Sequence, residues 1–390
     1  MSVWDRLVGQ PEALAQFRGA AAAAHGHGPS FGMTHAWLVT GPPGSGRSIA
    51  ALALAAGLVC PDEGCGDCEA CRTVVTHAHP DVTIIRSTTL SLGKDRTKAL
   101  VVQAAGAPVT APWRVIVVED ADRMTEAAAN TLLKAIEEPA PRTVWILCAP
   151  SSEDLLPTIR SRTRHVALRV PSAASVAQLL EAEGVDTPMA AFAAHASQGH
   201  IGRARALATD EDVRARRAMV LKVPRMMTSI TDAYAMAHDL RTVAEEDAKR
   251  RNQERNDEEN AEVLAAYGQG AEGVSAGRVR TLANKAMADL AKTQTQRASR
   301  SVRDELDRYF VDFLGYYRDV LMLQLGVASD LVNVDLRPAL EQAAQADDSV
   351  TTMRRIDAIT AARAQLEGNV PPALVCESLL VQLLHPVGRQ

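Results

Sequence analysis

Residues 41–48 have the composition of a phosphate-binding loop and read Gly-Pro-Pro-Gly-Ser-Gly-Arg-Ser. They lie between an apolar run that ends at Val39 and an Ala/Leu-rich segment that begins at Ile49. Glycines let backbone N–H groups turn inward, and a helix starting just after the loop adds the positive end of its dipole. The residues predicted to contact a nucleotide are Gly41, Gly44, Ser45, Gly46, Arg47 and Ser48. The alternative is a plain Gly/Pro turn between a strand and a helix.

One position departs from the usual phosphate-loop motif. The pattern G-x-x-x-x-G-K-S/T places a lysine on the terminal phosphates, whereas this sequence has Arg47. Arginine keeps the positive charge, but its wide planar guanidinium does not replace a compact ammonium in a tight cradle. We therefore predict that ATP and Mg²⁺ bind weakly here or not at all, and that ATP is not hydrolysed.

Four cysteines lie within twelve positions, at the spacing C-x4-C-x2-C-x2-C. Thiolates at such short spacing are the ligands that a tetrahedral zinc site requires. Because sulfur fills all four positions and leaves none for water, we predict a structural rather than a catalytic Zn²⁺. The alternative is four unligated thiols on a loop. The predicted ligands are Cys60, Cys65, Cys68 and Cys71.

An acidic pair, Glu119 and Asp120, follows the apolar run 115–118. In parallel α/β sheets, ligands bind beyond the carboxyl ends of the strands, so this pair is predicted to face the same crevice as residues 41–48. A carboxylate there can hold Mg²⁺ or orient water. Taken alone, an acidic pair after an apolar strand is more simply a solvated strand end.

The elements that position these groups alternate between strand and helix as far as residue 170. Strands are predicted at 35–40, 81–85, 114–118, 143–148 and 166–170, with a polar loop over 90–98. This alternation predicts an α/β domain, a parallel sheet with helices on both faces, over 1–170, with the cysteine module at 60–71. Strand signals stop at Pro171, so a small helical domain is predicted over 171–209 and an all-helical domain over 210–390.

The composition narrows the class of protein. The net charge of −5 argues against a protein that coats nucleic acid on its own. The mixed charges of residues 244–260 indicate a solvated helix, and the aromatic residues of 304–323 are spaced as a helix core. No apolar run is long enough to span a membrane, which predicts a cytoplasmic protein with no membrane partner.

Several motifs occur in a fixed order: the loop 41–48, the acidic pair, the segment Asn-Thr-Leu-Leu-Lys-Ala-Ile-Glu-Glu-Pro at 130–139, and Ser161-Arg162. With them, and with the boxes at 8–10, 35–38 and 366–370, the sequence resembles the AAA+ clamp-loader subunits of bacterial DNA polymerase III. The resemblance covers nearly the whole chain. It implies an AAA+ P-loop domain, a helical lid and a C-terminal helical collar that assembles five subunits.

The resemblance also implies partners and a role. The partners are other clamp-loader subunits, of the gamma/tau and delta types, the sliding clamp, and primed DNA through the assembled complex. Arg162, with Ser161 beside it, would project as an arginine finger into the ATP site of a neighbouring subunit. The alternative is a surface arginine held by a salt bridge.

Within this family, four departures favour the non-hydrolysing type of subunit over the ATP-hydrolysing motor. They are Arg47 in the loop, the order Glu-Asp at 119–120, the lid segment 199–202 without the motor's arginine, and Cys148 where a hydroxyl is usual. The predicted role is a stator within the DNA polymerase III holoenzyme. Two alternatives stay open, a motor in which Arg47 works as lysine does and a zinc-dependent nucleic-acid-binding module.

Overall fold

The computed structural model describes residues 2–85, 92–268, 276–327, 330–368 and 370–386. The chain divides into two compact units, Met1–Asp210 and Glu211–Gln390. Unit 1 contains the sheet, and the described secondary structure of unit 2 consists of helices alone. No helix within the described ranges is both long enough and apolar enough to cross a membrane.

The sheet of unit 1 has five parallel strands in the spatial order β2-β3-β4-β1-β5. The strands are β1 (Ala36–Thr40), β2 (Val82–Ile85), β3 (Arg114–Val118), β4 (Thr143–Ala149) and β5 (Arg164–Ala167). The three central strands are almost entirely buried apolar runs, which is typical of a parallel sheet covered on both faces. The predicted α/β class is confirmed.

Within the described residues of unit 1, nine α-helices cover or follow this sheet. They are α1 (Pro11–Ala24), α2 (Arg47–Val59), α3 (Glu69–Val75), α4 (Lys94–Ala104), α5 (Glu126–Glu137), α6 (Pro157–Arg160), α7 (Ala173–Ala182), α8 (Thr187–Ala196) and α9 (Ile201–Thr209). Side chains of α1 and α2 form one apolar cluster with one sheet face, and those of α4 and α5 form another with the opposite face. Small alanine side chains on α2 let this helix pack closely on the strands that carry the phosphate loop.

Two predicted elements differ from the structure. Helix α4 begins at Lys94, inside the stretch predicted as a loop, because Thr97, Leu100 and Ala104 form a buried stripe at helical spacing. The first residues of that predicted loop, 90 and 91, lie outside the described residues. Strand β5 ends at Ala167 and begins at Arg164, two residues earlier than predicted, since Arg164 pairs with Trp37 of β1.

Unit 2 contains α10 (Glu211–Val220), α11 (Val223–Met226), α12 (Ile230–Gly268), α13 (Ala276–Gln324), α14 (Arg337–Ala346), α15 (Ser349–Glu367) and α16 (Pro372–Leu384). Aromatic side chains of α13, Phe310 and Phe313 among them, are buried in its core. Helices α12 and α13 run antiparallel along a polar seam, in which Asn252 bonds Ser301 at 2.9 Å and Arg297 bonds Glu259 at 2.6 Å. The charged run 244–260 is therefore helical, as predicted. Residues 269–275, between α12 and α13, lie outside the described residues.

Candidate functional site

The phosphate loop connects β1 to α2 and has the backbone of a tight turn. The N–H of Ser45 donates to the carbonyl of Pro42 at 3.0 Å, and Gly46, at φ +90°, caps the N-terminus of α2. That φ value favours glycine, since other residues adopt the left-handed region at a cost. The side chain of Gln10 donates to the carbonyl of Ser45 at 3.3 Å and so ties the loop to the N-terminal segment.

Charged side chains collect beyond the carboxyl ends of β1, β3 and β4, as the strand order requires. Burial raises the pKa of Asp122, and the Asp120 carboxylate raises it further, whereas the cations Arg123 and Arg47 lower it. Arg47 and the acidic segment after β3 therefore lie in one electrostatic cluster. Asp122 belongs to this cluster although the sequence analysis selected only Glu119 and Asp120.

Cys148, near the end of β4, lies beside this cluster. Its thiol lies 3.9 Å from the carbonyl oxygen of Arg47 and is fully buried, and burial together with the Glu119 carboxylate raises its pKa. The structure thus brings Arg47, Glu119, Asp120 and Cys148 together. A neutral thiol, rather than a hydroxyl, faces this part of the site.

Two polar atoms of the loop are buried without a hydrogen-bond partner in the described part of the chain. They are Oγ of Ser45 and Nη1 of Arg47. Both are donors of the kind that a phosphate oxygen would satisfy, so their chemistry fits an anion. On the other side of the loop, a Cβ on Gly44 would lie 2.7 Å from Cβ of His200, the residue that caps α9. His200 therefore packs directly on the loop, a contact that no local sequence signal indicates.

The four cysteines of the module at 60–71 converge on one point. Their sulfur atoms all lie within 4.8 Å of one another, with Cys60 Sγ 3.7 Å from Cys65 Sγ and 3.6 Å from Cys68 Sγ. A tetrahedral site with Zn–S bonds of about 2.3 Å has sulfur atoms about 3.8 Å apart, so the spacing fits zinc. All four are free thiols rather than disulfides.

Backbone N–H groups point at these sulfur atoms. Hydrogen bonds from Asp67 and Cys68 lower the pKa of the Cys65 thiol to about 7, whereas burial raises the pKa of Cys71. The N–H of Cys71 also lies 3.4 Å from Cys68 Sγ. Such donors stabilise thiolates, the form that binds zinc.

The N-terminal turn of the chain supports the cysteine module. Nε1 of Trp4 donates to the carbonyl of Glu63 at 2.8 Å, and Oγ of Ser2 donates to the carbonyl of Gly64 at 2.8 Å. Gly64 has φ +99°, and a Cβ there would lie 2.6 Å from a methyl carbon of Val3. Only glycine fits between the two segments, so the first and second ligands are held in a fixed turn.

Arg162 lies just before β5 and is about half exposed. Its Nε is 2.7 Å from a carboxylate oxygen of Glu137, with 42% and 45% of the two side chains accessible. Its Nη1 donates to the carbonyl of Thr158 at 3.0 Å and to Oγ of Ser161 at 3.1 Å. The guanidinium is thus oriented by three partners while one side of it stays open to solvent. Glu137, at the C-terminal end of α5, is a partner that the sequence analysis did not identify.

Arg162 lies at the amino-terminal ends of the strands, whereas the phosphate loop lies at their carboxyl ends. Strands β1 and β5 are parallel, with Trp37 beside Arg164 and Thr40 beside Ala167. Arg162 precedes β5, whereas the loop follows β1, so about six residues of strand, on the order of 20 Å, separate the two levels. Arg162 and Ser161 therefore do not belong to the cluster formed by Arg47, Glu119 and Asp120.

Comparisons with known proteins find similarity to subunits of DNA polymerase III. Residues 18–172 match the family described as DNA polymerase III, delta subunit. The chain is 29% identical over 194 residues to the DNA polymerase III subunit delta′ of Bacillus subtilis, covering 49% of this chain and 59% of that protein. It is 37% identical over 142 residues to the delta′ subunit of Haemophilus influenzae, covering 35% and 43%. It is also 36% identical over 162 residues to the gamma/tau subunit of Mycobacterium tuberculosis, covering 39% and 28%.

Among solved structures, a DNA polymerase III gamma subunit-related protein from Thermotoga maritima aligns over 90% of this chain and 94% of its own, with 15% identity and a TM-score of 0.40. The aligned part of this chain covers between about a quarter and three-fifths of the length of the relatives just described. The architecture of the predicted fold class, a parallel α/β domain with a cysteine module and a helical C-terminal region, is confirmed. The resemblance to the clamp-loader subunits of DNA polymerase III is likewise confirmed, and residues 18–172 match that family.

Proposed function

We propose that this chain is a stator of the delta′ type in the DNA polymerase III clamp loader. In this role it supplies Arg162 to the ATP site of a neighbouring gamma/tau-type subunit and helps to hold the sliding clamp open on primed DNA. The observation that carries the proposal is the position of Arg162. Its side chain is half exposed, and it lies at the end of the strands opposite to the chain's own phosphate loop. An arginine in this position is better placed to contact a nucleotide bound by a neighbouring subunit than one bound by its own phosphate loop.

The contacts of Arg162 suit an arginine finger. Glu137, Ser161 and the carbonyl of Thr158 orient the guanidinium, so little rotamer freedom is left to lose when it meets a phosphate. An arginine supplied in trans stabilises the charge on the transferred phosphoryl group. Exchange of Glu137 for phosphate oxygens would keep the guanidinium paired throughout.

The chain's own phosphate loop supports a role without turnover. Arg47 replaces the lysine, and Cys148 presents a buried thiol where a hydroxyl would be needed to position a water or phosphate oxygen. His200 packs against Gly44 on the loop. The unpartnered Ser45 hydroxyl and Arg47 nitrogen still allow an anion to bind, so we propose a phosphate cradle that is retained without hydrolysis.

The test is steady-state ATPase activity of the reconstituted loader on primed DNA. Arg162→Ala is expected to lower the rate by a factor of about 10³ at the site it completes, the usual effect of losing an arginine finger. Arg160→Ala is the matched control, because Arg160 lies on the same segment but pairs with Glu153 at 3.3 Å. An unchanged rate for Arg162→Ala, with the complex assembled normally, would contradict the proposal.

A gamma/tau-type motor is the second candidate, favoured by the 36% identity to the mycobacterial gamma/tau subunit. It predicts brisk ATP hydrolysis by the isolated chain, whereas the stator predicts none. Calorimetric titration with ATP and Mg²⁺, on the wild type and on Arg47→Lys, separates the two. We expect weak or no binding to the wild type and tighter binding to Arg47→Lys, since the compact ammonium restores the usual phosphate contact.

Tight DNA binding by the isolated chain would instead favour the zinc-dependent nucleic-acid-binding module.

A further inference from the structure

Unit 2 contains a cavity of 510 Å³ that the proposed stator role does not use. The lining residues come from four places in unit 2: α11 and the residues on either side of it, the C-terminal end of α13, α14 with Asp347 after it, and positions near one end of α15 and of α16. A cavity of this size is in the range that holds organic ligands and is far larger than an inorganic ion needs.

The charged side chains that line this cavity are mostly basic. Lys222, Arg225 and Arg355 line it together with one carboxylate, Asp347, which pairs with Arg355 at 2.6 Å. The lining therefore has a net charge of +2. Within the described residues, neither Lys222 nor Arg225 has an ion-pair partner, so their charges are available to a ligand.

Two tyrosines of α13 also line the cavity. Tyr316 and Tyr317 are 2% and 4% exposed, and neither hydroxyl has a hydrogen-bond partner in the described part of the chain. The Arg355 guanidinium lies 5.5 Å from the centre of the Tyr317 ring. Burial raises the pKa of both tyrosines, so both hydroxyls are donors at neutral pH. Arg225 and Arg355 are close enough to counteract part of that rise at Tyr316.

Apolar side chains also line the cavity. They are Met226, Met227, Leu383, Leu384 and the alanines of α14, and Met226 is 60% exposed. An exposed methionine at the rim of a cavity adapts readily to different apolar shapes. The site therefore combines cationic and hydroxyl groups with apolar side chains.

We propose that this cavity binds an amphipathic organic anion. Its phosphate or carboxylate head contacts Lys222, Arg225 and the hydroxyl of Tyr316, and its apolar body lies against Met226 and the ends of α14 and α16. Basic groups and hydroxyls outnumber the one carboxylate, Asp347, which is already paired with Arg355, and such a lining favours an anion over a neutral or cationic ligand. This inference is independent of the stator proposal, since the cavity lies wholly within unit 2.

Calorimetric titration of the full-length protein tests the inference with four probes: hexyl phosphate, hexanoate, inorganic phosphate and hexanol. We expect hexyl phosphate or hexanoate to bind at least about tenfold more tightly than inorganic phosphate and hexanol, because only the first two pair with the cationic groups and also contact the apolar side chains. Tighter binding of hexyl phosphate identifies a phosphate head, and tighter binding of hexanoate identifies a carboxylate head.

Three variants connect binding to the named residues. The double variant Lys222→Ala/Arg225→Ala is expected to weaken binding at least about tenfold, and Tyr316→Phe about fivefold, as charged and neutral hydrogen bonds are lost. Lys249→Ala, an exposed lysine outside the cavity, is the control and should leave binding unchanged. Circular dichroism checks that each variant is folded. Equal binding of all four probes, no binding of either amphipathic anion, or full binding by the folded double variant would overturn the inference.

Discussion

Arg47 and Arg162 lie next to strands of the same sheet but have different surroundings: Arg47 begins α2 just after β1, and Arg162 precedes β5. Nη1 of Arg47 is buried without a partner in the described residues and lies among the carboxylates that follow β3. The Arg162 side chain is 42% exposed and paired with Glu137. A buried guanidinium acts only on what enters its own loop, whereas a half-exposed one can reach a second molecule. This difference is the residue-level basis of the stator proposal.

A third residue, Asp81, stabilises the segment that leads into β3. Its carboxylate is fully buried and accepts hydrogen bonds from the N–H groups of Val109, Thr110 and Ala111 at 2.6 to 2.9 Å. Arg114 lies 3.4 Å away on the same side. Burial alone would raise the pKa of Asp81, but these hydrogen bonds outweigh it and lower the pKa to about 2.

Asp81→Asn is predicted to destabilise unit 1, since an amide cannot accept these bonds as strongly and brings N–H groups of its own. The pKa shift from the unfolded value corresponds to about 2 kcal/mol of unfolding free energy at neutral pH. The folded pKa is depressed, so this contribution is complete above the unfolded pKa near 4 and is lost as the pH falls toward 2. Urea unfolding at several pH values should show the difference between wild type and variant shrink in acid. Glu181→Gln, an exposed acid on α7, is the control; a difference that does not change with pH would refute this assignment.

At the scale of elements, the cysteine module connects the end of one helix to the start of the next. Cys60 follows the last residue of α2, Cys68 caps the N-terminus of α3, and Cys71 lies in its first turn. Since α3 has only seven residues, it is too short to be stable without tertiary support. A metal bound by all four sulfurs would supply that support.

Cys71→Ser is predicted to abolish stable zinc binding and to expose α3. Protein purified without chelator should contain about one zinc per chain, and the variant much less, because three thiolates cannot complete the closed tetrahedral site. Metal analysis gives the stoichiometry, and hydrogen exchange over residues 57–75 reports the opening. Cys376→Ala, a cysteine buried in unit 2, should retain the metal. Wild-type protein without zinc and with freely titratable thiols would contradict the prediction.

The sequence predicts the local features of this fold better than the contacts between its elements. The strands β1, β3 and β4 were predictable because they are continuous apolar runs, and the four cysteines because their spacing is itself the signal. Strand β5 begins with Arg164 and His165, so its position depends on pairing with β1 rather than on a side-chain pattern. The contacts of His200 with Gly44 and of Glu137 with Arg162 join residues far apart in the chain, and no periodicity indicates them.

At the scale of the whole molecule, each unit has a hydrophobic core of its own. Unit 1 packs its apolar side chains on the two faces of the sheet, and unit 2 packs its own between helices. In unit 2, Arg217 and Asp312 form a buried ion pair at 3.1 Å, and Arg217 also donates to Asn333. Removal of one member of such a pair leaves a buried charge without its partner, which typically costs about 3–5 kcal/mol.

Two separate cores predict two calorimetric transitions that can be moved independently. Chelation of zinc, or Cys71→Ser, should lower only the transition of unit 1, because the cysteine module packs within that core. Arg217→Ala should lower only the transition of unit 2, since the buried charge it leaves behind, Asp312, lies there. Differential scanning calorimetry of the full-length protein, with Lys249→Ala as the surface control, measures both. If either change shifted both transitions equally, the two units would unfold as one cooperative body, and stability would be shared between the sheet and the helices of unit 2.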